Sequence, residues 1–171
     1  MKKHILFILV LCIPLFANCQ NHRGKSNTPK WAHKLPKSNS KIFAVGKGSS
    51  GSADIAYRKA VLDANTMLAK KVAPVVTSKT SRIISTVENG KTVEKRVDVI
   101  RQKVTTSLEG VEEVNKSQTR EGELYLVYVL VSIPNQAISR SIVNKINSDS
   151  TLLAKLSNTK MYNDLLSEAN R

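Results

Sequence analysis

The chain has 171 residues, with 27 lysines and arginines against 13 aspartates and glutamates, for a formal net charge of +14. Aromatic residues make up only 5% of it and no basic tract forms an arm, which excludes a base-stacking nucleic-acid platform. The three histidines are dispersed at His4, His22 and His33, so no histidine pair within one molecule binds a metal or relays protons.

Lys2, Lys3 and His4 precede an apolar run of 11 residues from Ile5 to Leu15, interrupted only by Pro14. A permanent spanning helix needs about 20 residues. The run therefore reads as a cleaved export signal. Its end, Leu15-Phe16-Ala17-Asn18-Cys19, resembles the lipoprotein signal class, with Leu15, Ala17 and Cys19 matching and Phe16 and Asn18 departing from the usual pattern. The resemblance implies diacylglycerol on the Cys19 thiol and cleavage on its N-terminal side. The alternative is ordinary secretion with a cut near Ala17. One acyl chain holds a protein only reversibly, at about 0.8 kcal/mol per buried methylene, so two or three chains on Cys19 make attachment lasting.

Cys12 would be lost with the signal, leaving Cys19 as the single cysteine and excluding an intramolecular disulfide or thiolate cluster. Removal of residues 1–18 leaves 153 residues, the size of one domain, and a net charge of +12. Outside the cytoplasm that charge steers toward lipid head groups, lipopolysaccharide or acidic glycans, or else simply keeps the surface soluble. Residues 19–30 form a lipidated tether, since 20–30 contain no apolar residue large enough to pack. Residues 31–171 form a single α+β domain with a C-terminal helical extension.

Trp31 and Leu35 cap one edge of the core, with Pro29 and Pro36 holding the segment extended. Lys41–Gly46 is a short strand, and Lys47–Ser52 a loop into a helix capped by Ser52. Ala56, Ala60, Ala64, Met67 or Leu68, and Val72 repeat at helical spacing, and so many alanines imply close approach to a sheet. Pro74 kinks or ends this helix, and Val75–Val87 fits either helix or strand. Glu88-Asn89-Gly90-Lys91 is a turn joining two helices or two strands. Val93, Val97, Ile100, Val104 and Leu108 recur at helical spacing despite their β-branching. Gly110–Lys116 is a strand and Ser117–Glu123 its turn. Leu124–Ile133, apolar on both sides, is a central strand with helices on one face and a partner, lipid or the Trp31 segment on the other. Pro134 opens a helix through Ile146. Residues 150–169 form a further helix, broken at Ser157-Asn158-Thr159, that covers the sheet or serves oligomerisation.

The carboxylates never fall in a metal-ligand loop. Asp54 and Asp63 are separated by about 13 Å of helical rise, too far for joint acid–base work. Gly46–Ser52 follows a strand like a phosphate loop, but its lysine stands too early and no acidic strand follows. Ser50 lacks a base that would make it a nucleophile. Glu112, Glu113, Lys116, Arg120 and Glu121 read as solvated hairpin charge. The residues thus give no catalytic group and no cofactor.

Pro29-Lys30-Trp31 with Pro36, Phe43-Ala44-Val45-Gly46, Asp54 with Arg58-Lys59-Ala60, Ala64, Leu68-Ala69, Leu108-Glu109-Gly110-Val111 and Gly122–Val129 occur in an ordered set over residues 29–133. This set resembles the small bacterial outer-membrane lipoprotein family typified by a twenty-kilodalton surface antigen, which is similar to the amino-terminal domain of a flagellar assembly protein. Tyr57 stands where that family commonly has alanine. The resemblance implies an α+β domain, a helix on a small antiparallel sheet, anchored at the outer membrane and facing the periplasm. It brings no catalytic residues. The function expected is a non-enzymatic structural or interaction module with an envelope protein partner or self-association. The alternative is a module binding an anionic lipid or glycan through Lys70, Lys71, Lys79 and Arg82.

Overall fold

The computed structural model describes residues 28–171, so the signal, Cys19 and the tether up to residue 27 lie outside the described residues. The elements are α1 (Lys30–His33), β1 (Lys41–Ser50), α2 (Ala53–Ile84), α3 (Lys91–Thr106), β2 (Glu112–Glu121), β3 (Leu124–Pro134), α4 (Asn135–Asn147), α5 (Ser150–Leu156) and α6 (Lys160–Ala169). The three strands form an antiparallel sheet in the order β1-β3-β2. An α+β domain with a central β3 and a packed alanine-rich helix is what the sequence predicts.

β3 is central because both its faces are apolar. Val127, Val129, Val131 and Ile133 point into the main core, while Leu126, Tyr128 and Leu130 are buried on the opposite face. α1 lies against β3, and Thr28 Oγ1 is 3.1 Å from the Tyr128 hydroxyl, so the Trp31 segment supplies cover for that second face. It does so with one helical turn rather than an extended stretch.

Several boundaries differ from the sequence reading, each for a physical reason. Lys47–Ser50 is strand, not loop, because β1 stays paired with β3 from Lys41 to Ser50. Glycine there meets a packing demand: a Cβ on Gly46 would fall 2.1 Å from the Ala60 carbonyl oxygen, and one on Gly48 would fall 2.0 Å from that of Ala56. β2 runs on to Glu121, and its turn is only Gly122-Glu123, with Gly122 at φ +62° in the left-handed region that glycine tolerates. A bulge between Glu113 and Asn115 leaves Val114 out of register.

Pro74 lies inside α2, which continues to Ile84. Its missing N–H leaves the Lys70 carbonyl without a helical donor; packing on both sides of the proline outweighs that loss. Ala56, Ala60, Ala64, Leu68, Val72, Val76, Thr80 and Ile84 are all buried, one in every four residues. Four residues turn an α-helix about 40° past a full circle. The buried stripe therefore spirals, facing β1 and β3 at its start and α3, α4 and α6 toward its end.

α4 follows β3 directly, its first N–H donating to the Ser40 carbonyl at 2.8 Å. α5 and α6 are capped by Asp149 and Thr159, whose side chains accept from the Leu152 and Tyr162 N–H groups. α6 packs on α4 and α2, so the terminal helices extend the helical layer instead of covering the sheet. Ile138, Ile142, Ile146, Leu152, Leu156 and Leu165 join the same core as β3 and α2.

Gly46→Ala is expected to cost about 3 kcal/mol in urea unfolding, since a backbone must move to admit the methyl group. Gly51→Ala, whose added Cβ meets its nearest atom at 4.0 Å, should fall within about 0.5 kcal/mol of the parent.

Candidate functional site

Two of the four basic residues proposed as anion contacts have structural partners. Lys71 donates to the Phe43 carbonyl at 2.8 Å, and Lys79 donates to Ser139 Oγ at 2.8 Å and pairs with Glu168. Lys79 and Arg82 share a shallow pocket with Asp164 and Glu168, whereas Lys70 lines a separate cleft. The fold thus distributes the four over different surroundings.

Lys71 belongs to a set that the sequence did not reveal. The outer edge of β1 is met by α2 side chains: Asp63 Oδ2 accepts from the Lys47 N–H at 2.9 Å, and Lys59 reaches the Ser49 carbonyl at 3.2 Å. Together with Lys71 they occupy the hydrogen-bonding edge that a second strand would use. Asp63 is therefore a strand clamp, and Asp54 pairs with Arg58 at 2.9 Å one turn along.

The cleft at Lys70 has a volume of about 760 Å³ and lies between α2, the end of α3 and β2. Tyr57 donates to Glu113 Oε2 at 2.8 Å, and Lys116 stands 4.8 Å from the centre of the Tyr57 ring. The hydrogen bond to Glu113 and its charge raise the Tyr57 pKa, keeping the phenol a donor and unsuited to act as base or nucleophile. Thr66, Thr106 and Ser107 donate back to carbonyls of their own helices at 2.8, 2.8 and 2.9 Å. Asn65 Oδ1 is buried there without a hydrogen-bond partner among the described residues. The hairpin charges are exposed, as the sequence predicts, and two of them, Glu113 and Lys116, also brace β2 on α2 through Tyr57.

A second polar assembly ties helices α3 and α5 to the turns that precede them. Glu88, with only 5% of its side chain exposed, pairs through Oε2 with Arg96 Nε at 2.8 Å and accepts from Lys155 at 2.9 Å. Arg96 also pairs with Asp149. Asp149 has its pKa lowered first by the Leu152 N–H and further by Arg96. Among the described residues no group of three or more His, Cys, Asp and Glu side chains could hold a metal, and no helix is long and apolar enough to cross a membrane.

Beside this node runs a crevice of about 540 Å³ between α3 and the α4–α5 junction, with Lys91, Lys95, Lys103 and Lys145 around Val99, Ile100 and Leu152. The sequence signal for it is the four-residue spacing of Lys91, Lys95, Val99 and Lys103, masked by the apolar repeat of the same segment.

Arg96→Ala strands the Glu88 carboxylate beside one remaining cation and is expected to cost about 3 kcal/mol in urea unfolding. Asp149→Asn should narrow the stability gap to the parent in acid. A depressed carboxyl stabilises fully above its unfolded pKa near 3.8 and loses that contribution as pH falls through its lower folded value. The two proteins therefore differ most above about pH 5 and converge at strongly acid pH, read from unfolding midpoints across that range.

The family model for LPP20 lipoprotein matches residues 29–131, from the start of the described chain nearly to the end of β3. No curated protein matches the chain. Among solved structures, a secreted protein of the human pathogen Helicobacter pylori is 22% identical, with 75% of this chain and 49% of that one covered and a TM-score of 0.32. The chain thus spans about half the length of that protein, and the superposition is too loose to carry an argument. The family match covers more than half of the sequence: the chain belongs to the LPP20 lipoprotein family and is an envelope lipoprotein, anchored by lipid at the outer membrane and facing the periplasm.

Proposed function

We propose that this lipoprotein is a non-enzymatic interaction module, held through diacylglycerol and acyl chains on Cys19 and engaging another envelope protein or a second copy of itself. The observation that carries the reading is the family match opening at residue 29, ten residues after Cys19. Residues 20–28 reach at most about 30 Å when extended. A tether of that length keeps the domain close to the bilayer.

The polar groups fit this role. Tyr57 with Glu113 joins α2 to β2, and Glu88, Arg96, Asp149 and Lys155 join the turn before α3 to α5. Groups spent on bracing elements make a rigid surface, which lowers the ordering cost of binding a partner.

The test compares membranes from cells making the native protein and Cys19→Ala. The native N-terminal peptide should carry lipid by mass spectrometry and the protein should sediment with membranes, while the variant carries none and loses that attachment. An unmodified Cys19 in the native protein would sink the anchor assignment. Cross-linking of the same membranes should give one reproducible protein partner or a self-adduct.

A further inference from the structure

We infer that the crevice between α3 and the α4–α5 junction is the docking site for an acidic amphipathic helix of a second envelope protein. This rests on the interaction-module reading and names the chemistry of its partner. Lys91, Lys95, Val99 and Lys103 fall four residues apart on α3 and span about 18 Å of helical rise. Lys145 of α4 faces them, and Ile100 and Leu152 form an apolar floor. The rim is cationic and the floor apolar along one helix length. That is the complement of a helix bearing apolar residues flanked by carboxylates at three- and four-residue spacing.

The charges are available. Lys91, Lys95, Lys103 and Lys145 pair with no carboxylate among the described residues, whereas Asp149 in the same crevice is already engaged by Arg96 and the Leu152 N–H. The acidic residues Glu94 and Asp98 of α3 lie together in a different pocket, with Thr77, Ser81 and Val97. The lysine strip of α3 is therefore apart from its acidic residues, of which Asp98 is paired with Arg101. Val99 remains 42% exposed between the lysines, an apolar group left uncovered at the centre of the cationic strip.

The described chain enters at Thr28 against the Tyr128 face of the sheet, while α2 packs on the opposite face and α3 packs on α2. Thr28 and the crevice thus lie on opposite sides of the domain.

The experiment places a photo-reactive p-benzoylphenylalanine at position 99, or at position 62 as a control, in the full-length protein in its own cells. Leu62 is 70% exposed on α2. Irradiation should join position 99, and not 62, to one envelope protein, and digestion should locate the adduct in a segment with carboxylates at helical spacing. Lys95→Glu with Lys103→Glu should cut the yield about tenfold, while Lys70→Glu with Arg82→Glu leaves it unchanged. Adducts to lipid, to a segment without such carboxylates or to nothing would overturn the proposal, as would equal yields from position 62 or equal loss in both charge-reversed proteins. The mass of the Cys19 peptide, measured in the same samples, separates failure of this docking from failure of the anchor.

Discussion

Backbone contact between β1 and α2 is the constraint from which the remaining architecture follows. Ala56, Ala60 and Ala64 on the helix oppose Gly46 and Gly48 on the strand, and neither glycine has room for a methyl group. Side chains of this size add little apolar area of their own. Their contribution is to bring two backbones together, so that Asp63, Lys59 and Lys71 reach the strand's outer edge. Larger residues at these positions would hold the helix off the sheet and break those bonds together with the packing.

The same helix serves two layers. Because its buried residues recur every four positions, the apolar stripe rotates along the axis and passes from the sheet to α3, α4 and α6. Its side chains grow along the way, from alanine near the sheet to Leu68, Val72, Val76 and Ile84, as backbone contact gives way to helix packing.

An unbroken apolar run made β3 legible, periodicity did so for α4 and the repeating face of α2, and the break between α5 and α6 showed in Ser157-Asn158-Thr159. The end of β1 was not legible because glycine and serine punctuate chains far more often than they pave a helix contact. β2 was blurred for a different reason: most of its residues are exposed, so no alternation marks its length. Pro74 signals a stop by local chemistry, and only tertiary packing overrules it. In the site, the lipobox and the scattered histidines were visible in the sequence. The partners of Lys71, Lys79 and Asp63 were not, since each is fixed by residues distant along the chain.

The clamped edge of β1 bears on how such a protein survives transit through the envelope. A three-stranded sheet offers two rims to a stray extended chain. On one, α2 side chains already occupy the Phe43 carbonyl, the Lys47 amide and the Ser49 carbonyl. On the other, β2 presents a bulge and the charges of Glu112, Glu113, Lys116, Arg120 and Glu121, which deter an in-register newcomer. Ribbon-to-ribbon polymerisation is thereby discouraged at both rims, leaving traffic with neighbours to the helices.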